Sequence, residues 1–94
     1  MEQKKKHRSE EQKKALKNRL KRIEGQIRGI EKMIDEDAYC TDIIQQTLSA
    51  SSALDGFNQH LLSNHIKGCV TSGIKSGDEE IVDELLIMLR KLMK

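Results

Sequence analysis

A repeating apolar pattern near the N-terminus constrains this chain more than any other feature of its sequence. Six aliphatic residues follow one another at intervals of four and three: Leu16, Leu20, Ile23, Ile27, Ile30 and Ile34. This spacing places all six on one face of an α-helix of the kind that packs in a bundle. We therefore predict a helix from about Glu10 to Asp35, opened by a capping box at Ser9.

The rest of the chain carries two more helical patterns. They run from near Tyr39 to about Ile74 and from Asp78 to about Lys91, with a turn and cap at Ser76-Gly77-Asp78. The chain contains no Pro, no Trp, one Phe and one Tyr, which makes a β-sandwich or barrel improbable on composition. We predict an all-α fold with three helices. Within the first helix, the spacing of Gly25 and Gly29 predicts close approach of another helix.

The size of the chain predicts one small domain with a thin core. Residues 1–12 lack apolar periodicity and are interpreted as a mobile basic arm with a frayed helix start, and residues 13–94 are predicted to form a single helical domain. Ninety-four residues bury little apolar surface on their own, so we expect oligomerisation. No apolar run is long enough to span a membrane, and no secretory signal follows Met1. These absences predict a cytoplasmic protein with reduced cysteines.

Charge is divided unevenly along the sequence. Residues 1–32 contain twelve Lys or Arg against five Glu, a local net of +7, and residues 33–94 contain five against ten acids, a net of −5. Opposite the apolar seam of the first helix lie Lys14, Lys21, Arg28 and Lys32, and Lys17, Arg19 and Arg22 flank this stripe. These seven cations are here called the basic face. The pattern predicts phosphate contacts on double-stranded DNA, with a solvated surface as the simpler alternative.

Two cysteines and a histidine make a candidate metal site. His65 and Cys69 are four residues apart on one helix face, and Cys40 lies about 37 Å away at the start of the same predicted helix. An antiparallel pair of such helices from two chains would bring Cys40 of one chain to His65 and Cys69 of the other. Two thiolates and an imidazole suit Cu(I), whereas Zn(II) would need a fourth ligand, which His7 could supply. The alternative is an ordinary buried Cys and a polar His at the core edge.

Three stretches resemble the bacterial copper-sensitive operon repressors, the CsoR/RcnR-type family. They are residues 18–30, 37–46 and 62–70. The resemblance implies an all-α dimer, an antiparallel four-helix bundle that pairs into a tetramer. It also implies a form that binds operator DNA without metal and releases it on binding Cu(I).

The resemblance also assigns residue roles. The family's metal ligands map onto Cys40, His65 and Cys69. Residues that support the ligands map onto Tyr39 and Glu84, and a DNA-contacting Arg maps onto Arg19.

The chain departs from the copper-type pattern at two places. Copper-type members often carry an Arg where this chain has Gly56, and residues 53–56 look more like the nickel- and formaldehyde-responsive branch. That branch is not expected to carry Cys69, and the family's persulfide sensors lack His65.

We predict a DNA-binding transcriptional repressor that releases its operator on binding Cu(I). The alternatives are a family member that senses Ni(II), Zn(II), reactive sulfur or an aldehyde through the same cysteines, or a copper-buffering module that does not bind DNA. The sequence has no CxxC motif and no acid–base pair in a plausible pocket, so we do not expect an enzyme.

Overall fold

The regular structure of this chain is helical throughout the part described. The computed structural model describes residues 5–93, and no strand occurs among them. The helices are α1 (Glu10–Asp35), α2 (Cys40–His65), α3 (Thr71–Lys75) and α4 (Glu80–Leu92), and a π-helical turn (Ile66–Val70) joins α2 to α3. The three predicted helices correspond to α1, to α2 with the π turn and α3, and to α4. The all-α prediction is confirmed.

A reciprocal cap begins α1 where the sequence predicted it. The Ser9 N–H donates to Gln12 Oε1 at 3.0 Å, and the Gln12 N–H donates to Ser9 Oγ at 3.1 Å. Residues 10–12, which the predicted boundary assigned to the arm, therefore belong to the first turn of α1, and residues 5–9 have no regular secondary structure. Residues 1–4 of the predicted arm and Lys94 lie outside the described residues. The arm's mobility and the single domain over residues 13–94 remain predictions.

A left-handed residue ends α1. Asp37 has φ 57°, the Ala38 N–H donates to the Met33 carbonyl at 2.9 Å, and the Asp37 N–H donates to the Ile34 carbonyl at 3.1 Å. These two bonds form a Schellman motif, in which Gly is the usual left-handed residue. Asp37 therefore occupies a conformation that costs free energy for any residue with a Cβ.

The same motif ends α3, this time with glycine. Gly77 has φ 83°, the Asp78 N–H donates to the Gly73 carbonyl at 2.8 Å, and the Gly77 N–H donates to the Ile74 carbonyl at 3.2 Å. The predicted turn and cap at Ser76-Gly77-Asp78 are confirmed at the end of α3, where Ser76 is the C-cap residue. Helix α4 begins at Glu80, after the predicted start at Asp78, and its N-cap residue Glu79 makes no side-chain cap hydrogen bond.

The chain divides into two compact units between Phe57 and Asn58. The buried apolar residues of the first unit are Ile23 and Ala50, and those of the second are Val70 and Ile81. A single chain therefore has a thin core, as its length predicts. No helix within residues 5–93 combines the length and apolarity needed to cross a bilayer.

Close helix contact occurs at Gly73 in the second unit. A Cβ added to Gly73 would lie 2.8 Å from both Cδ1 and Cγ2 of Ile81, so α3 and α4 meet there. At Gly25 and Gly29 an added Cβ would have no neighbour within 4 Å in the described chain. The close approach predicted for those two glycines does not occur within the described chain, because they lie on an exposed side of α1. Close approach of a helix from a second chain stays a prediction.

Candidate metal centre and DNA-binding face

Cys40 is the first residue of α2 and is exposed. Tyr39, just outside the helix, accepts hydrogen bonds at its carbonyl from the N–H groups of Asp42 and Ile43, and its side chain is 72% exposed. Ile44 and Leu48 follow Cys40 by four and eight residues, so the three share one helix face. Ile44 is 55% and Leu48 62% exposed. Cys40 therefore stands at the end of an apolar strip that is left open in the described chain.

His65 and Cys69 both lie at the π turn. His65 is the last residue of α2, Cys69 lies within the turn, and both are half-buried. The continuous α-helix predicted from Tyr39 to Ile74 is thus wrong over Ile66–Val70. The Thr71 N–H and the Thr71 hydroxyl both donate to the Ile66 carbonyl, so the turn closes over five residues instead of four.

The described part of a single chain does not assemble a metal site. Among residues 5–93, no three His, Cys, Asp or Glu side chains lie close enough together to hold a metal ion. His7 is exposed ahead of α1, and Glu84 is exposed on α4. One chain therefore offers His65 and Cys69 near the π turn and Cys40 at the start of α2. The roles of these residues as ligands or supports of a metal remain predictions.

The basic face divides into two halves with different surroundings. In its C-terminal half, Arg28 Nη2 lies 3.5 Å from Glu24 Oε2, and Lys32 Nζ lies 3.8 Å from Glu36 Oε1. These cations already have carboxylate neighbours on the chain itself. Such exposed pairs contribute little to stability, so they do not prevent contact with a stronger anion.

In the N-terminal half of the basic face, fewer of the positive charges have a carboxylate neighbour. Lys14, Lys17 and Lys21 line a shallow surface depression, and none of them forms an ion pair within the described residues. Lys13, which the sequence pattern did not single out, lines the same depression and lies 3.6 Å from Glu10. Arg19 and Arg22 are also exposed on α1. The largest uncompensated positive charge on α1 is therefore near its start.

Residues 12–91 match the family described as metal-sensitive transcriptional repressors. The chain belongs to this family. The family predicted from the three resembling stretches is thereby confirmed, and its description names transcriptional repressors.

Two copper-sensing relatives of this metal-sensitive repressor cover nearly all of it. The copper-sensing transcriptional repressor CsoR of Bacillus subtilis is 45% identical over 89 residues, which are 94% of this chain and 88% of the relative. The structure of the copper-sensing repressor CsoR with Cu(I) from Geobacillus thermodenitrificans NG80-2 matches with a TM-score of 0.88 and 35% identity, over 96% of this chain and 95% of that one.

A third relative of the repressor responds to another metal. The nickel-responsive transcriptional regulator InrS matches with a TM-score of 0.72 and 30% identity, over 94% of this chain and 97% of that one. The shared fold therefore does not choose the metal, and the choice must depend on the side chains that a given member presents.

Proposed function

We propose that this repressor binds double-stranded operator DNA in its metal-free form and releases it on binding Cu(I). The observation that carries the proposal is the donor set of Cys40, His65 and Cys69 in a chain 45% identical to a copper-sensing repressor. Two soft thiolates and one imidazole suit Cu(I) better than harder divalent ions. The proposed site of action is operator DNA in the cytoplasm.

The proposed copper site spans two chains. Cys40 opens α2 and His65 closes it, so one α2 presents the ligands at opposite ends. The exposed strip of Ile44 and Leu48 beside Cys40 is a surface that a second copy of α2 can cover. Burying one such side chain fully contributes about 1.5–3 kcal/mol. Antiparallel pairing of two α2 helices would then join Cys40 of one chain to His65 and Cys69 of the other.

The same reasoning supports a tetramer built from two dimers. Helix α4 leaves a second group of large apolar side chains exposed: Val82, Leu86, Ile87, Met88 and Leu92. A thin core and exposed apolar faces are typical of chains that associate. In this proposal Tyr39 and Glu84 orient the ligands, and His7 is available as a further ligand for an ion that needs four.

The proposed DNA contacts lie on α1. Lys14, Lys17 and Lys21 contact phosphates first, because none of them forms an ion pair within the described residues. Arg19 and Arg22 extend the contact, and Arg28 and Lys32 exchange their carboxylate partners for phosphate. Linkage then requires that DNA weaken Cu(I) binding by the same factor by which Cu(I) weakens DNA binding.

A release assay tests the proposed function. A fluorescent duplex, selected by the metal-free protein from a random library, is followed by anisotropy during titration with Cu(I), Ni(II), Zn(II), formaldehyde or a polysulfide. Release by Cu(I) alone supports the proposal. Release by another agent and not by Cu(I) supports the corresponding alternative sensor, and tight Cu(I) binding without any DNA binding supports a copper-buffering module.

A subunit-exchange experiment tests the two-chain site. Cys40→Ala and Cys69→Ala proteins should each bind Cu(I) weakly, and their mixed dimers should regain one intact site per dimer. Competition with a Cu(I) chelator measures the affinity, and mass spectrometry confirms the exchange. Cys40→Ala protein exchanged with itself is the matched control. Confirmed exchange without recovered affinity would exclude a site shared between subunits.

A further inference from the structure

The π turn begins directly after His65 and contains Cys69, and one residue, Thr71, makes two hydrogen bonds across it. The Ile66 carbonyl accepts the Thr71 N–H and, at 2.8 Å, the Thr71 hydroxyl. In an α-helix that carbonyl would accept the N–H of Val70 instead. A carbonyl oxygen has two lone pairs, and the two bonds from Thr71 use both of them. Thr71 thus favours the wider turn with its backbone and its side chain.

The Thr71 hydroxyl bond differs from the usual bond of a threonine inside a helix. A helical Thr hydroxyl ordinarily bonds the carbonyl three or four residues earlier. Thr47, in the regular part of α2, does so with the carbonyl of Ile44 at 2.7 Å. The acceptor of Thr71 is five residues earlier, the same spacing as the hydrogen bonds of a π turn. The hydroxyl bond is therefore tied to that local geometry.

The backbone of this turn sets how Cys69 stands relative to His65. Three residues separate His65 from Cys69 in the sequence, and the π turn includes all three of them. A change from π to α geometry rotates Cys69 about the helix axis relative to His65, and metal ligands tolerate little displacement from their bonding positions. We infer that Thr71 is a positioning residue for the metal site, whose hydroxyl holds the π turn that orients Cys69 toward the ion shared with His65. This inference rests on the proposed function.

Removal of the hydroxyl tests the inference. Thr71→Val keeps the branched shape and deletes the donor, Thr71→Ser keeps the donor, and Thr47→Val deletes the comparable bond in regular helix. Each variant is compared with the full-length wild type for Cu(I) affinity by chelator competition. Thermal unfolding and NMR amide exchange at residues 70 and 71 are measured on the metal-free proteins. We expect Thr71→Val to weaken Cu(I) binding about tenfold and to speed exchange at the turn. Thr71→Ser should restore both values, and Thr47→Val should change neither.

Each remaining outcome overturns a stated part of the proposal. The role of Thr71 is overturned if Thr71→Val binds Cu(I) as tightly as the wild type, or if Thr71→Ser does not restore a lost affinity. In either case the proposed function stands as long as the wild-type protein binds Cu(I) and releases DNA. An equal loss in Thr47→Val shows general helix destabilisation and also overturns that role. Absence of Cu(I) binding by the wild type itself refutes the proposed function and removes the role of Thr71 with it.

Discussion

Replacement of Gly73 by alanine should destabilise the chain although Gly73 lies in a helix. An added Cβ lies 2.8 Å from Ile81 Cδ1 and Cγ2, and 3.4 Å from Ile81 Cβ. Rotation of the Ile81 side chain can remove the flexible Cδ1, but its branched Cβ keeps a γ-carbon near the new atom. The helices must therefore shift apart. Because α3 continues directly from the π turn, this contact also anchors the segment that carries Cys69.

The magnitude follows from two opposing contributions. Overpacking of a well-packed contact costs about 1–3 kcal/mol. Replacing a helical Gly by Ala gains about 1 kcal/mol in helix propensity. Gly56→Ala, where an added Cβ meets nothing within 4 Å, shows the gain alone and is the matched control. Gly73→Ala should therefore be about 1–3 kcal/mol less stable than Gly56→Ala.

Urea unfolding at one fixed protein concentration measures the difference, because association couples stability to concentration. Thermal unfolding should show the Gly73→Ala midpoint below that of Gly56→Ala by about 4–8 °C per kcal/mol. In an Ile81→Ala background, which removes both crowded γ- and δ-carbons, the penalty of Gly73→Ala should shrink. Equal stability of Gly73→Ala and Gly56→Ala would refute the assignment of a tight α3–α4 contact.

Three further predictions concern DNA release and helix ends. Lys21→Ala should reduce the slope of log affinity for DNA against log salt concentration by about 1 per contacting chain. Lys32→Ala should reduce this slope less, because Lys32 already has a carboxylate neighbour. Identical slopes for the two variants would contradict this expectation. His65→Ala should still bind Cu(I) through two thiolates but remain on DNA, and full release in the anisotropy titration at one Cu(I) per site would exclude this separation. Gly77→Ala, at φ 83°, should lower the free energy of unfolding in urea by about 1 kcal/mol. Asp37→Gly, at φ 57°, should raise it by up to about 1 kcal/mol. Changes of the opposite sign would contradict the left-handed assignments.

Local patterns in the sequence were sufficient for the helices and the family. The bounds of α1 and its cap between Ser9 and Gln12 were predicted correctly, because apolar periodicity and capping depend on residues close together in the chain. The confirmed family also followed from short stretches. The ligand set of Cys40, His65 and Cys69 came from the same source, and it remains a prediction because it needs a second chain.

Other features were visible only in the structure, because they depend on hydrogen bonds or ion pairs whose alternatives have nearly equal free energies. The π turn depends on whether the Ile66 carbonyl accepts from residue 70 or from Thr71, and single hydrogen bonds differ by only about 1 kcal/mol. The carboxylate neighbours of Arg28 and Lys32 likewise depend on side-chain geometry that a charge pattern does not specify.

The glycines show most clearly what a local sequence pattern cannot predict. The sequence pattern predicted close helix contact at Gly25 and Gly29, whereas within the described chain the tight contact is at Gly73, against Ile81. A glycine permits close approach wherever it stands in a helix. Which glycine another helix approaches is decided only when the chain folds back on itself, because that contact joins residues whose positions no local pattern relates.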